Sequence, residues 1–413
     1  MCMHHCLAYA IILTILLINF SIATIDVQAG YRGGLPAPSG ITLYSVCGDA
    51  SQGLLFAVGN SSINGLVYKV NKLSINGYEI FIDQSPEGIG KQYQSLSFYA
   101  CEVVDGYLFV VGEAKKRSAA KPDGIVIVYN ISGGNKIDDR ACGERIIDVE
   151  VQKKGGYHIY ALVYGSSNTV MLSYTTFVKS IDAFSNIALG SGDGYGISLH
   201  GDYLGVLWKS SNDLVLSIFN VSSRRPRHFK SVTIISGFTG DRATEAAYSE
   251  GFIVAASSNI FKVYFNGSSN VLVESTFNGD AYAMLVSEKN GAKAAYVFTM
   301  DENISIIAVD IARGVVAYID EVADGVMDGF GDAYVVWIDN DMNIVSAGSE
   351  SSKPYMVYAA RNCLIYYNLT QGGVFPYPIP EPWLTTLVVL VVTAILTLLS
   401  LEKAEVIQLK TTM

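Results

Sequence analysis

One phrase occurs twice in this chain. Phe277–Val286 reads "FNGDAYAMLV" and Phe330–Ile338 reads "FGDAYVVWI", with the acids 52 residues apart. Repetition at a steady interval constrains a fold more than any single residue does. Each copy must be one structural unit, and a lone unit cannot cover its own apolar faces. Weaker echoes precede the pair. Gly-acid steps ahead of an apolar run stand at Gly143-Glu144, Gly192-Asp193, Gly240-Asp241, Gly279-Asp280 and Gly331-Asp332, the acids 49, 48, 39 and 52 residues apart. Nearer the N-terminus, "LYSVCGDASQGLLFAVG" (43–59) and "FYACEVVDGYLFVVG" (98–112) share a Tyr, a Cys, a turn and Leu-Phe-x-Val-Gly. Seven units result, beginning near residues 42, 94, 144, 193, 241, 280 and 332.

The units share one grammar. Short apolar runs rich in Val, Ile, Tyr and Phe alternate with Gly, Asn, Asp or Ser, which is the pattern of strands and turns. Unit four shows it, with "YGISL", "YLGVLW", "LVLSIFNV" and "HFKSVTII" separated by "HGD", "KSSND" and a loop. No amphipathic helical stretch separates Gly30 from Gly373. Seven antiparallel units of about four strands each are the arithmetic of an all-β, seven-bladed β-propeller. The alternative is two or three β-sandwiches in series, which calls for linkers and repeats of about 100 residues. Neither is visible. In this frame Gly-Asp-x-Tyr is punctuation: Gly permits the tight turn, Asp caps it, and Tyr begins the strand.

The ends of the chain differ from its middle. Residues 7–23, "LAYAIILTILLINFSIA", followed by Val27-Gln28-Ala29, have the pattern of a signal peptide cleaved before Gly30, so 1–29 is assigned as leader. An uncleaved signal anchor is the alternative. Residues 371–382, "QGGVFPYPIPEP", form a Pro-rich stalk, because Pro removes ladder donors and stiffens the chain. The transmembrane helix is expected over 383–401. Its uncharged stretch Leu384–Leu401 would span roughly 27 Å as a helix, against a bilayer core of about 30 Å. Trp383 suits an interface, and Lys403 and Lys410 follow the span, which leaves tail 402–413 in the cytoplasm and the propeller, 30–370, outside. Asn60, Asn130, Asn220, Asn266, Asn303 and Asn368 each begin N-x-S/T, where about three such sequons would arise by chance. All six lie on the external side, as candidate glycosylation sites. Charged residues are only 16% of the chain and the net charge is −10, a balance that argues against nucleic acid as a partner.

Cys47, Cys101, Cys142 and Cys363 remain after the leader, an even number that permits two disulfides outside the cell. If residues 41–47 complete the last sheet beside 362–369, Cys47 meets Cys363 and locks the ring, which leaves Cys101 for Cys142. Four buried free thiols are the other reading. Asp339, Asp341 and Asn343 alternate as in a calcium loop but lack its Gly and distal acid, so a hairpin turn competes. Asp324, Asp328 and Asp332 invite the same comparison. His158, His200 and His228 are far apart, with no ligand-like spacing. No G-x-S-x-G elbow, H-E-x-x-H or phosphate-cradling loop occurs, and no cofactor is implied. The basic runs "KKR" (115–117) and "RRPRH" (224–228) fall in expected hairpin loops.

Over residues 41–370 the chain resembles the β-propeller superfold, without the signatures of the WD, Tyr-Trp-Thr-Asp or Asp-box repeats. "GDGYGISL" and "FGDAYVVWI" faintly resemble the FG-GAP repeats of integrin-type propellers, minus the further Asp residues of their calcium loops. Pro380–Pro382 is similar to a PEP-type sorting tail without its terminal Arg cluster. The whole resembles single-span surface proteins of archaea. The function expected is a membrane-anchored extracellular module of the cell envelope, binding a protein or glycan ligand and held in the cell membrane by 383–401. The competing class is an extracellular glycan-active hydrolase or lyase using acids at the propeller channel.

Overall fold

The computed structural model describes residues 32–289, 292–323 and 333–369. The expected leader, stalk, membrane span and tail lie outside the described residues, as do Asp324, Asp328 and Asp332. Among the described residues no helix is long and apolar enough to cross a membrane.

Strands follow one another with short turns. β1 (Arg32–Pro36) comes first. β2 (Thr42–Asp49), β3 (Leu54–Asn60), β4 (Gly65–Val70) and β5 (Tyr78–Gln84) form an antiparallel sheet in chain order. β6 (Tyr93–Val104), β7 (Tyr107–Lys116), β8 (Asp123–Asn130) and β9 (Lys136–Ala141) form the next. β10 (Arg145–Lys153), β11 (Tyr157–Tyr164) and β12 (Thr169–Phe177) pair with the first half of β13 (Ser185–His200). The second half of β13 pairs with β14 (Tyr203–Ser210), followed by β15 (Asp213–Asn220) and β16 (Arg227–Ile235), so one long strand joins two ladders in a seven-stranded sheet. β17 (Thr244–Tyr248), β18 (Gly251–Ala256), β19 (Asn259–Tyr264) and β20 (Ser269–Val273) form a sheet, as do β21 (Asp280–Lys289), β22 (Ala292–Met300), β23 (Ile304–Asp310) and β24 (Val315–Ala323). The last sheet combines β25 (Tyr334–Ile338), β26 (Ile344–Val345), β27 (Lys353–Ala360) and β28 (Cys363–Asn368), with β1 on its outer edge.

Successive sheets stack face to face around shared apolar cores. Phe56 and Val67 of the first sheet pack with Phe98 and Val110 of the second. Phe109 and Val128 of the second pack with Ile159 and Phe177 of the next ladder. Leu364 and Tyr366 of the last sheet pack against Leu43 and Leu55 of the first, which closes the stack into a ring. Middle strands are therefore apolar on both faces: β8 is buried at six consecutive residues, whereas the outer β9 has none buried. Each fully buried Val, Leu, Ile or Phe contributes about 1.5–3 kcal/mol, so the sandwiched middle strands carry the stability. A series of separate sandwiches does not fit this closed stacking.

The ring also dictates direction. Within each sheet the first and third strands run one way, and the second and fourth run back. Turns that follow first strands in neighbouring sheets touch one another: Gln152 Nε2 donates to the Gly201 carbonyl at 2.6 Å, and Lys153 pairs with Asp105. First strands therefore all begin on one face, called upper here, and end on the lower one.

Two expectations are corrected. Residues 41–47 do not complete the last sheet. The shorter β1 does, pairing Arg32–Pro36 with Tyr367–Cys363, and β2 becomes the innermost strand of the first sheet. The disulfides change in consequence. Cys47 on β2 faces the adjacent innermost strand β6 and is bonded to Cys101, with Cα atoms 5.7 Å apart. Cys363 lies opposite Pro36 of β1 instead. Cys363 and the buried Cys142 are free thiols, so neither Cys47–Cys363 nor Cys101–Cys142 forms.

Candidate functional site

Five of the innermost strands share a local irregularity. β2, β6, β10, β13 and β21 each carry a β-bulge near the upper end, between Leu43 and Ser45, Phe98 and Ala100, Ile146 and Asp148, Gly194 and Gly196, and Ala281 and Ala283. A bulge turns one unpaired residue out of the ladder. Those residues are Tyr44, Tyr99, Ile147, Tyr195 and Tyr282. The Val-Gly step of the recurring Leu-Phe-x-Val-Gly belongs to the same device: a Cβ on Gly59 would lie 1.9 Å from the Thr42 carbonyl oxygen, and one on Gly112 would lie 1.8 Å from that of Ser97. Only glycine lets the bulged strand approach so closely.

Two of these tyrosines, Tyr99 and Tyr282, meet arginines near the upper ends of the innermost strands. Tyr44 packs edge-on to Tyr99 with ring centroids 5.1 Å apart. The Arg145 guanidinium lies 5.7 Å from the Tyr99 centroid and donates from Nε to Glu113 at 2.7 Å. Arg242 lies 5.8 Å from the Tyr282 centroid. Burial is the main cause that pushes the Tyr99 and Tyr195 hydroxyls well above the ordinary phenol range, reinforced by Glu113 and Asp193 respectively.

Asp280 behaves as punctuation, though not for its own turn. Its Oδ1 accepts from the backbone N–H groups of Asp241 and Arg242, at 3.3 and 3.2 Å, and so ties the start of one sheet to the start of the preceding one. The two Gly-Asp-Ala-Tyr phrases are not equivalent in space. Tyr282 is bulged out, whereas Tyr334 pairs regularly with Val357, and its hydroxyl accepts from the Ala50 N–H at 3.1 Å, just past the lower end of β2.

Below the mouth lies a cavity of about 210 Å³ at the axis, its wall including Glu102, Asp148, Glu150, Ser198, Tyr334 and the Cys47–Cys101 bridge. Asp148 Oδ2 accepts from the Ile197 N–H at 2.9 Å and Oδ1 from that of Val149 at 2.8 Å. Burial nevertheless outweighs these bonds and pushes the carboxyl up to about 7. Burial, then the neighbouring Asp148 charge, pushes Glu102 up to about 8. Glu245 is only 3% exposed; its Oε2 accepts from Ser198 Oγ, while Oε1 has no hydrogen-bond partner. Its pKa is pushed up to about 8, by burial against the pull of the Ser198 bond and with a further push from Asp148. Sequence reasoning did not single out these acids. Each lies inside a strand run, and only the ring brings Glu102 of β6, Asp148 of β10 and Glu245 of β17 around one axis.

The residues singled out from sequence fall elsewhere. Asp339, Asp341 and Asn343 close a hairpin turn on themselves: Asp339 Oδ1 accepts from the N–H groups of Asp341 and Asn343, both at 2.9 Å. The side-chain and backbone bonds from Asn343 hold the exposed Asp339 carboxyl below its usual range. Among the described residues no group of three or more His, Cys, Asp or Glu is placed to hold a metal ion. The basic runs are engaged in ion pairs, Arg117 with Glu87 at 2.8 Å and Arg224 with Asp182 at 2.6 Å.

The sequons divide. Asn130, Asn220 and Asn266 stand at the end of third strands or just beyond them. Each Oδ1 accepts from the hydroxyl two residues on, Ser132, Ser222 or Ser268, at 2.7, 2.6 and 2.7 Å. The N-x-S pattern at these sites is thus also an Asx-turn that ends a third strand, a structural reason for its recurrence. Asn60 ends a second strand and donates from Nδ2 to Ser97 at 3.0 Å. Asn303 sits in the β22–β23 turn. Asn368 is 1% exposed and donates to the Tyr355 hydroxyl at 3.2 Å, a position without room for a glycan.

No protein-family model matches the sequence, and comparison with curated proteins finds no relative. Solved structures are similar in shape. The Myceliophteria thermophila Cps50 (Swd1) β-propeller domain superposes with a TM-score of 0.51 at 11% identity, over 82% of this chain and 100% of its own. A computationally designed protein, Ika8, superposes with a TM-score of 0.45 at 10% identity, over 82% and 100% respectively. Such low identity speaks of architecture alone. In fold, this chain is a β-propeller.

Proposed function

We propose that the chain is a seven-bladed propeller held at the cell membrane by a helix over 383–401, and that it serves the cell envelope as an extracellular binding module for a protein or glycan. The blade count follows from reading β13 as the edge of one blade and the first strand of the next. The observation that carries the function is the cluster of bulge tyrosines around the upper mouth of the channel. Tyr44, Tyr99, Tyr195 and Tyr282 sit on a rigid scaffold, and tyrosine gives large amphipathic contact area at small entropic cost. Ligand sites favour such concave, scaffolded positions.

Presenting the ectodomain, 30–375, to glycan and protein-partner arrays tests the reading. Capture is expected, with loss of at least tenfold in affinity for Tyr44→Ala and Tyr282→Ala variants that keep the wild-type circular dichroism. The channel acids favour a second reading, a glycan-active hydrolase or lyase, because carboxyls displaced toward neutrality suit proton transfer. Silence on the arrays together with turnover of a polysaccharide panel would replace the first reading with the second.

A further inference from the structure

The fold uses only part of the basic run at 224–228. The run lies in the β15–β16 turn, which follows the third strand of its ladder and so stands on the lower face. Arg224 reaches back to the preceding ladder, donating to Asp182 at 2.6 Å and to Thr176 Oγ1 at 2.9 Å. Arg225, Arg227 and Lys230 are exposed and form no ion pair among the described residues. The same holds for Lys179, at the tip of the turn that Phe177 and Ile181 close beside Arg224. The acids along this edge are already engaged, Asp182 with Arg224 and Asp202 with Lys154. Four cations are thus left over on one edge of a chain whose net charge is −10.

Apolar side chains stand among these cations. Val178 is 63% exposed and Phe229 53%. The register shift of β16 leaves Phe229 unpaired, between His228 opposite Phe219 and Lys230 opposite Ile218. Behind it the Tyr203 ring lies 6.3 Å away and stacks on Phe265 at 4.4 Å, so aromatic surface continues into the next sheet. Apolar rings set among free cations have the chemistry of a membrane interface: rings and alkyl stems enter the headgroup layer while the charges meet phosphates.

We propose that this edge of the lower face rests on the bilayer, with Lys179, Arg225, Arg227 and Lys230 on lipid phosphates and Val178 and Phe229 in the headgroup layer. The inference rests on the anchored reading above and gives the ring a second hold on the same membrane. Position favours lipid over a soluble acidic partner. β28 runs in the direction of β25, so Leu369 leaves the ring on this same face. A stalk over 371–382 keeps the edge within roughly 37 Å of the surface. Tethering at that range makes each further contact intramolecular, so a small patch is enough.

The test reconstitutes the full chain into phosphatidylcholine vesicles, with or without phosphatidylglycerol, whose brominated acyl chains quench tryptophan. Phe229→Trp is compared with Ile63→Trp, an exposed position in the β3–β4 turn of the upper face, after subtraction of the wild-type emission. With phosphatidylglycerol present, quenching at 229 is expected to exceed that at 63 by about threefold or more. It should fall to the upper-face level when Arg225→Glu and Arg227→Glu are added without a change in circular dichroism. Equal quenching at the two positions, or quenching that ignores the charge reversal, overturns the contact. So does a glycan found on Asn220 of the native protein, which would stand between this turn and the bilayer. Binding of polyglutamate in detergent, lost on charge reversal and joined to equal quenching in vesicles, would hand the patch to a soluble acidic partner. A chain that stays with the vesicles in high salt yet shows equal quenching keeps its anchor and loses this contact. One that salt releases, after stronger quenching at 229, keeps the contact and loses the anchor.

Discussion

At the scale of single residues, the buried acids make the folded ring sensitive to pH in an unusual direction. Glu102, Asp148 and Glu245 have folded pKa values of about 8, 7 and 8, above the ordinary carboxyl range. The folded state therefore holds protons that the unfolded chain has already released. Their contribution to stability is fully present below the ordinary carboxyl range and is lost as pH rises through 7 to 8. Each such proton changes the unfolding free energy by about 1.4 kcal/mol per pH unit. The Glu245→Gln variant keeps the Ser198 bond with an amide oxygen and carries no charge. It should lose little stability at pH 5 and gain about 1 kcal/mol or more over wild type at pH 8.5, read from urea unfolding at both values. A wild-type protein whose urea midpoint climbs between pH 5 and 8.5 contradicts the buried-acid account. None of this was legible in the sequence. An acid inside a strand run looks the same whether its strand faces solvent or the axis, and only ring closure decides.

At the scale of elements, legibility depended on turns. First strands begin at Thr42, Tyr93, Arg145, Thr244 and Asp280, close to unit starts that sequence repeats place near 42, 94, 144, 241 and 280. Gly, Asn and Asp mark the turns there because few other residues accept the required backbone angles. In β13 the same mark does not make a turn. The strand runs sixteen residues without a turn, so the Gly192-Asp193 step lies inside a strand. β1 was missed for the opposite reason, since "RGGLP" carries almost no apolar signal and takes its place only by pairing with β28. The error over the cysteines followed from that one strand. The observed Cys47–Cys101 bridge spans 54 residues and clamps the innermost strands of two neighbouring sheets. Closing a loop of that length restricts the unfolded chain by roughly 4 kcal/mol in the entropic account, and bridges often deliver less. The Cys47→Ser, Cys101→Ser double variant is accordingly expected to unfold about 2–4 kcal/mol more easily in urea. The Cys142→Ser, Cys363→Ser double variant should keep the wild-type reduction dependence of that midpoint. A reductant-insensitive midpoint in wild type would show that the clamp contributes nothing.

At the scale of the whole molecule, strand direction decides which way the ring faces. β28 runs antiparallel to β27, which runs antiparallel to β25, so β28 follows the direction of β25 from the upper face to the lower one, and Leu369 leaves the ring below. The Asx-turns at Asn130, Asn220 and Asn266 share that lower face, while the bulge tyrosines crown the upper one. If residues 371–382 are the stalk and 383–401 the anchor, the lower face looks toward the membrane and the tyrosine mouth looks away from it. A Pro-rich stalk of this length reaches roughly 37 Å at about 3.1 Å per residue, less than an antibody needs to pass freely beneath the ring. A short peptide tag between Ala119 and Ala120, in the exposed β7–β8 turn, stands on the upper face. The same tag between Gly133 and Gly134, in the β8–β9 turn, stands on the lower face. On intact cells whole antibody should stain the first tag at least several-fold more strongly than the second, and the difference should vanish once detergent frees the protein. Equal staining on intact cells would mean that the ring is not tethered from below. A reversed ratio would turn the acid-lined axis and its tyrosine mouth toward the membrane, where no soluble partner could reach them.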